Sequence, residues 1–442
     1  MGKDERQQEK REERRKRRVR SQVLAYSALT ILILALATGI TYGVFRVMGE
    51  RQNTEEKEQE NQDIIDELLA SEEEIPTVEP TPEPTPEPEP EPTWEEKLDE
   101  YVDARIMEMP LEDKVAGLFV VTPEAITGVG TAVQAGDGTR QALETNPVGG
   151  LIYFRKNIQS EEQLKEMLAN TAQYAKYPLF LAVDEEGGSV SRIGATIGPK
   201  MDSAGDIGAT GDPENAYQAG VTIGTSLSGL GLNVDFAPVA DLANVEGSIM
   251  SGRAYAADAA TASGFVNSMV RGLEEQNVTA CLKHFPGIGS TTQDPHDGRA
   301  VTERTEEQFW AEDLAVFQAG IDNGVHMIMV SHMAVPALTG DNEPSIFSRV
   351  LVTDILRNQM GFQGVIITDA LSMSAISEYY GSDEAAIMAV LAGCDMLLMP
   401  EDYGKAYQGV LEAVRNGNID EERINDSLRR IYRIKYADMV EQ

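Results

Sequence analysis

The chain has 442 residues, which is the size of one large domain with additional segments. Acidic residues outnumber basic ones by 73 to 37, giving a formal net charge of −36. This argues against a nucleic-acid-binding protein, because such a protein needs a basic surface. Hydrophobic residues make up 42 %, enough for a full globular core. The two cysteines exclude a disulfide framework and a four-cysteine zinc site.

The first 45 residues have the composition of a membrane anchor. Residues 1–20 hold ten Lys/Arg and five Asp/Glu, whereas residues 21–45 carry no charge. A helix over residues 21–45 is about 37 Å long and crosses a bilayer core of about 30 Å. Because basic flanks stay in the cytoplasm, we expect an uncleaved single-pass protein of the cell membrane, with everything after Arg46 outside. A cleaved signal peptide is the alternative, since Ala35-Leu36-Ala37 resembles a cleavage site.

Residues 46–93 form an acidic, proline-rich linker. Within it, Pro76–Pro92 alternates proline with glutamate and threonine. Proline at this density excludes helix and sheet and favours polyproline II. Such a segment extends about 50 Å. We expect it to hold the domain formed by residues 94–442 away from the membrane, within the cell wall.

From Trp94 onward, short apolar runs alternate with longer segments of helical period. We predict eight of these runs to be strands, and most of them are continuously apolar, as buried parallel strands require. They are 117–121, 149–154, 179–184, 233–239, 280–284, 327–331, 365–368 and 395–399. The helical segments between them include 161–174, 213–228, 259–276, 306–323, 349–360 and 383–392. The pattern predicts an α/β protein with a (β/α)8 TIM-like barrel. An open doubly wound sheet is the alternative, but its glycine fingerprint does not follow the first strand.

Polar residues collect where the predicted strands end, which is where such barrels place catalytic groups. These positions are Asp184 to Gly188, Asp235, Asp241, Lys283-His284, Ser331-His332 and Thr368-Asp369. His326, by contrast, precedes the sixth strand, and we expect it to have a structural role.

Two arrangements suit acid–base and nucleophilic chemistry. Asp294 stands two residues before His296 in a loop rich in Gly, Thr, Asp and Pro. A carboxylate within hydrogen-bond distance raises the pKa of an imidazole and suits it to general acid catalysis, although an ordinary surface turn has the same pattern. Asp369 ends an apolar run and is either a helix N-cap or a carboxylate nucleophile that faces the barrel mouth.

A metallohydrolase barrel is a further alternative. Histidines on the fifth and sixth strands and a late aspartate fit it, but it also needs His-x-His on the first strand. That strand is Gly-Leu-Phe-Val-Val. We therefore expect no catalytic metal and no cofactor.

The chain from about Leu98 to Met439 resembles the bacterial β-N-acetylhexosaminidases of glycoside hydrolase family 3, of the single-domain NagZ-like type. The resemblance rests on motifs that follow one another in order: Val183 to Arg192, Phe236 to Asp241, Ser251 to Tyr255, Lys283 to Gly287 followed by Asp294 to His296, and Ile367 to Met373.

The resemblance implies a retaining exo-β-N-acetylglucosaminidase that hydrolyses terminal GlcNAc from cell-wall muropeptides or other glycans. Asp369 is then the nucleophile, and His296 the general acid/base tuned by Asp294. The residues implied to bind sugar hydroxyls are Asp184, Arg192, Arg253, Lys283 and His284. These assignments agree with chemistry that needs one group to protonate the leaving oxygen and one to trap the anomeric centre.

Three positions, Ile288, Ser290 and Ala370, differ from the residues usual in this family. They leave open a non-catalytic sugar-binding barrel at the cell wall. A β-glucosidase or a phosphorylase of the same family is the other alternative. The expected partners are thus a GlcNAc-containing carbohydrate and, through the N-terminal helix, the membrane.

Overall fold

Residues 92–292 and 300–440 are described by the computed structural model of the chain. Its sheet consists of eight short parallel strands, and nearly every residue in them is buried. The strands are β1 (Phe119–Val121), β2 (Gly150–Ile152), β3 (Phe180–Val183), β4 (Val234–Asp235), β5 (Thr279–Phe285), β6 (Met327–Val330), β7 (Val365–Thr368) and β8 (Leu397–Leu398). Continuous apolar runs produce such strands because both faces of a parallel sheet are covered.

The strands pair in the order β7-β6-β5-β4-β3-β2-β1-β8. The two ends of this sheet meet, since a parallel bridge joins Ile367 to Met396 and the Thr368 N–H donates to the Met396 carbonyl at 3.0 Å. The sheet therefore closes into the predicted (β/α)8 barrel, and the open doubly wound alternative is wrong. Closure brings the carboxyl ends of all eight strands to one rim.

Helices surround the barrel. The α-helices are α1 (Trp94–Glu108), α2 (Leu111–Ala116), α3 (Pro123–Thr127), α4 (Asp137–Thr145), α5 (Glu161–Tyr174), α6 (Ala204–Gly208), α7 (Glu214–Leu230), α8 (Ala259–Glu274), α9 (Glu306–Gln308), α10 (Leu314–Asp322), α11 (Pro336–Thr339), α12 (Ser374–Ser377), α13 (Ser382–Ala392), α14 (Tyr403–Arg415) and α15 (Glu421–Tyr436). Short 3₁₀ turns cover Arg155–Asn157, Ser345–Phe347 and Ala437–Met439.

Local sequence explains where several helices begin and how closely they pack. The side chains of Ser160 and Asp258 accept backbone N–H groups at the starts of α5 and α8, as N-caps do. Helices α7 and α8 approach one another at Gly220 and Gly272. A Cβ on Gly220 would lie 2.6 Å from the Met269 carbonyl oxygen, so this contact requires glycine.

The predicted strands and helices are present, with two differences. The fourth strand ends at Asp235 rather than at Val239, in a segment where Pro238 has no N–H to donate to a ladder. Two predicted helices contain π-helical segments, Phe309–Asp313 between α9 and α10 and Val350–Gln359 before β7. Apolar spacing does not distinguish these from α-helix because it does not report which carbonyl each N–H contacts.

The predicted membrane span at residues 21–45 and the linker at 46–91 lie outside the described residues. Within the described ranges, 92–292 and 300–440, no helix has the length and apolar character needed to cross a bilayer.

Candidate active site

A cavity of about 350 Å³ opens at the carboxyl ends of the strands. It brings together every predicted site residue that the structure describes: Asp184, Arg192, Arg253, Lys283, His284 and Asp369. The barrel accounts for this convergence. Asp184 directly follows β3, Lys283 and His284 belong to β5, and Asp369 directly follows β7.

A larger cavity of about 610 Å³ lies at the opposite end, where the strands begin. Leu179, Val278 and His326 are among the residues that line it, and each lies just before a strand. His326 therefore lies before the sixth strand, as predicted, at the amino-terminal end of the barrel. The smaller cavity is the candidate active site, because barrels of this type carry their chemistry at the carboxyl ends of the strands.

Lys283 occupies the centre of a buried ion-pair cluster in the cavity wall, which we call the Lys283 cluster (Asp184, Glu186, Arg253 and Lys283). The Lys283 Nζ lies 3.0 Å from the Asp184 Oδ1 and 2.7 Å from the Glu186 Oε1. Arg253 binds Glu186 with two hydrogen bonds, from Nε at 2.9 Å and from Nη2 at 2.7 Å. A bidentate pair of this kind fixes both side chains in orientation as well as in distance.

The Lys283 cluster stays charged although it is buried. Burial by itself would raise the pKa of Glu186, but Lys283 and Arg253 lower it to about 2. Burial would likewise lower the pKa of Lys283, but Glu186 and Asp184 hold it above its ordinary value. The cavity therefore presents fixed carboxylates, which accept hydrogen bonds, next to fixed cations, which donate them.

Glu186 is a site residue that the sequence analysis missed. It lines the cavity, whereas its neighbour Glu185 turns into the protein and accepts the backbone N–H groups of Arg192 at 2.7 Å and Ile193 at 2.6 Å. Glu185 thereby holds the loop that carries Arg192. The run Asp184-Glu185-Glu186 was a signal that acidic residues matter here, but only the fold shows which of them faces the cavity.

His284 is held by a buried carboxylate. Its Nδ1 lies 2.7 Å from the Asp241 Oδ2, and the other oxygen of Asp241 accepts the Ile288 N–H at 2.7 Å. Asp241 thus orients the imidazole and fixes the start of the loop after β5. Among the described residues, no group of three or more His, Cys, Asp or Glu side chains is arranged to hold a metal ion.

Asp369 lies at the end of β7 with its backbone tied to the neighbouring strand. Its N–H donates to the Val330 carbonyl at 2.8 Å, and its Oδ1 accepts the Ala370 N–H at 2.7 Å. Burial would raise its pKa, but the imidazoles of His332 and His284 and the Ala370 N–H together lower it below the ordinary value. Asp369 is therefore an ionised carboxylate that faces the cavity at neutral pH.

Most of the other residues in the cavity wall are apolar. Four methionines line it: Met250, Met329, Met373 and Met399. The ring of Phe154 also lines it, with the Arg192 guanidinium 5.5 Å from the ring centroid. The cavity thus combines a charged cluster on one part of its wall with adaptable apolar side chains on another.

The predicted pair Asp294 and His296 lies outside the described residues. Ile288 lines the cavity, and the Ser290 and Thr302 hydroxyl oxygens lie 3.1 Å apart across the two arms of the loop. The positions of Asp294 and His296 relative to Asp369 remain a prediction.

Comparison with known proteins places this site in a family. The chain is 35 % identical over 260 residues to a Beta-hexosaminidase of Nitrosomonas eutropha, a match that covers 58 % of this chain and 74 % of that protein. It is 34 % identical over 280 residues to a Beta-hexosaminidase of Stenotrophomonas maltophilia, covering 61 % and 82 % respectively.

Solved structures similar to this chain include enzymes with related names. A glycoside hydrolase family 3 β-N-acetylglucosaminidase from a Paenibacillus species superposes with a TM-score of 0.69 at 34 % identity. The match covers 76 % of this chain and 64 % of that one, slightly less than two thirds. A Beta-N-acetylhexosaminidase from Beutenbergia cavernae gives 0.64 at 27 % identity, covering 74 % and 99 %. The family model "Glycosyl hydrolase family 3 N terminal domain" matches residues 110–434, so the chain is a glycoside hydrolase that belongs to family 3.

Proposed function

We propose that the protein is a retaining exo-β-N-acetylglucosaminidase that releases terminal GlcNAc from cell-wall muropeptides or other GlcNAc-terminated glycans. The observation that carries the proposal is the ionised Asp369 in the same cavity as the Lys283 cluster. The names of the relatives, Beta-hexosaminidase and β-N-acetylglucosaminidase, support the choice of sugar.

In this proposal Asp369 is the nucleophile. A retaining glycosidase needs a carboxylate that attacks the anomeric carbon as the leaving oxygen departs, forming a covalent glycosyl-enzyme that water later hydrolyses. A carboxylate with a lowered pKa is ionised and ready for this step. The Ala370 N–H holds one of its oxygens in place, so the side chain does not have to be ordered when substrate arrives.

His296, supported by Asp294, supplies the proton to the leaving group and later takes one from water. Imidazole titrates near neutral pH, as both roles require. Thr292 is the nearest described residue before His296, and a span of four residues reaches up to about 13 Å when extended. Ile288, four residues before Thr292, already lines the cavity. The short span from Thr292 to His296 therefore supports a position of His296 near the cavity.

The sugar hydroxyls bind the charged residues of the wall. Asp184 accepts from hydroxyl groups, and Arg192, Arg253, Lys283 and His284 donate to oxygen atoms of the sugar. We add Glu186 to this set because it lines the same cavity and fixes both Lys283 and Arg253. The mutual ion pairs hold these groups in one arrangement before substrate enters.

The proposal is tested with the full-length chain and a panel of 4-nitrophenyl glycosides of β-GlcNAc and β-glucose, each with and without inorganic phosphate. We expect release of nitrophenol from the GlcNAc substrate, independent of phosphate, and none with Asp369→Ala. A preference for glucose, a requirement for phosphate, or binding of GlcNAc without turnover would each overturn the proposal in favour of one of the alternatives.

We further propose that residues 21–45 anchor the protein in the cell membrane with the barrel outside. The support is the uncharged run of residues 21–45 after the basic residues 1–20. Protease added to intact cells is expected to remove the barrel and leave a membrane-bound stub. Protection of the barrel, or release of the whole mature protein into the medium, would contradict the anchor.

The acidic, proline-rich segment Pro76–Pro92 acts in this proposal as a spacer that lets the barrel reach the wall. Its deletion is expected to leave hydrolysis of small soluble glycosides unchanged and to reduce hydrolysis of intact wall. Equal hydrolysis of wall by the deleted form would show that the reach of the spacer does not matter.

A further inference from the structure

A second cavity of about 530 Å³ adjoins the candidate active site on the same rim of the barrel. It is lined by Thr122, Phe154, Arg155, Lys156, Ser189, Arg192 and Met399. Three of these residues, Phe154, Arg192 and Met399, also line the active-site cavity. The two cavities are therefore neighbours that share a wall.

The residues that line the second cavity differ in charge from the domain as a whole. The domain from Trp94 onward contains more than two acidic residues for each basic one. The lining of this cavity nevertheless includes Arg155, Lys156 and Arg192 and no carboxylate. A surface that collects cations in an otherwise acidic domain attracts an anionic group and partly offsets the repulsion that an anion meets elsewhere.

Of the three cations that line this cavity, Arg155 has no carboxylate partner among the described residues. Its Nε donates to the Ser191 carbonyl at 2.7 Å and its Nη2 to the Ser189 carbonyl at 3.5 Å. Carbonyl oxygens orient a guanidinium but do not neutralise it. The other two cations have carboxylate partners. Lys156 lies 3.5 Å from the Glu124 Oε2, and the Arg192 Nη2 lies 3.3 Å from the Asp184 Oδ2.

The backbone that carries Arg155 is fixed. Arg155 begins the 3₁₀ turn Arg155–Asn157, three residues after the end of β2. The Asn157 side chain accepts the Phe154 N–H at 2.9 Å and donates to the Glu124 Oε1 at 2.7 Å and to the Ala132 carbonyl at 2.8 Å. The charge of Arg155 is thus held at one place on the rim, as a specificity determinant requires.

We propose that this cavity is the subsite for the leaving group, and that Arg155 selects a leaving group that carries a carboxylate. The inference rests on the proposed function, since it assumes that GlcNAc occupies the first cavity. A guanidinium binds a carboxylate through parallel N–H donors. Because Arg155 is exposed to solvent, the expected preference is moderate, about three- to tenfold in kcat/KM.

The test uses the full-length chain and two substrates, 3-carboxyphenyl β-GlcNAc and 3-carbamoylphenyl β-GlcNAc. Their leaving groups differ only in that one carries a carboxylate and the other a neutral amide. The wild type is expected to prefer the carboxylate, and the preference is expected to decrease with added salt. Arg155→Gln is expected to bring the ratio of the two kcat/KM values close to one. The matched control is Arg140→Gln, which removes the same charge from an exposed residue paired with Asp137 and is expected to leave the ratio unchanged.

Equal kcat/KM values for the two glycosides, or a ratio that Arg155→Gln does not change, would overturn the inference while leaving the proposed function intact. Hydrolysis of neither glycoside, together with no turnover of 4-nitrophenyl β-GlcNAc, would overturn the proposed function and the inference with it. The two failures are therefore distinguishable in one set of measurements.

Discussion

Two lysines lie at opposite ends of the same barrel, Lys283, which is buried, and Lys435, which is partly buried. At the carboxyl end, Lys283 lies between Asp184 and Glu186, which keep its pKa above the ordinary value. At the other end, the Lys435 Nζ donates to the Gly149 carbonyl at 2.6 Å and lies 4.6 Å from the Phe180 ring centroid. Burial without a carboxylate lowers the pKa of Lys435 to about 7.

The comparison shows that burial does not by itself decide whether a side chain is charged. A desolvated charge persists where partners of opposite sign are fixed beside it, and its pKa shifts toward the neutral form where only dipoles and ring faces are available. The carboxyl end of the barrel keeps its charges and can bind a polar substrate. The amino end uses a lysine to hold the last helix, α15, against the barrel.

The largest expected effect is a loss of activity without a loss of stability, at the carboxyl end of the barrel. Asp369→Ala is expected to abolish turnover of every substrate, because no covalent glycosyl-enzyme can form. Its thermal unfolding should stay close to that of the wild type. The nucleophile is identified by trapping with a fluorinated sugar and peptide mapping, and a label on any residue other than Asp369 would refute the assignment.

Substitution of His296 or Asp294 is expected to affect the rate differently from substitution of the nucleophile Asp369. His296→Ala should reduce the rate by about 10²–10⁴-fold for poor leaving groups and much less for activated aryl groups, which leave without a proton. Asp294→Ala should cause a milder loss and a shifted pH optimum, because the imidazole loses its carboxylate. The measurement is kcat/KM across a leaving-group series, and an equal loss for all leaving groups would contradict the role of His296.

Replacing each lysine by methionine tests the comparison directly. Lys283→Met leaves two buried carboxylates short of a cation, so the free energy of unfolding at pH 7 should fall by about 3 kcal/mol. Lys435→Met removes a hydrogen bond but also the cost of desolvating an ammonium group, so the free energy of unfolding should not fall by more than about 1 kcal/mol. Denaturant titration of both variants measures this difference, and equal losses would show that the partners do not matter.

Lys435 is also expected to make the free energy of unfolding depend on pH. Its pKa is about 7 in the folded protein and about 10.5 in the unfolded chain. Between these values the unfolded chain binds more protons, so Lys435 makes stability rise with pH, by up to about 1.4 kcal/mol per unit. The slope is measured as the difference between the wild type and Lys435→Met.

Below pH 7 both states of Lys435 are protonated and its contribution to the slope disappears. The exposed Lys165, replaced by methionine, is the matched control and should keep the slope of the wild type. Parallel curves for the wild type and Lys435→Met between pH 7 and pH 10 would show that Lys435 keeps its proton in the folded protein.

Much of the candidate site was predictable because it follows the strands. Asp184, Lys283 and Asp369 end or directly follow apolar runs, and a closed parallel barrel must bring such residues to one rim. Glu186 was not predictable in the same way. It and Glu185 are adjacent and chemically equal, and the distinction depends on the turn that directs Glu185 to the N–H groups of Arg192 and Ile193.

By itself, the sequence determined the order of strands and helices, the barrel, and the residues at the strand ends, because apolar periodicity and turn residues are properties of neighbouring positions. Only the tertiary structure decided which charges are neutralised. Lys283 meets Asp184 from 99 positions away, and Lys435 meets Gly149 from 286 positions away. Electrostatic interactions depend on distance and burial in space, which no local pattern contains.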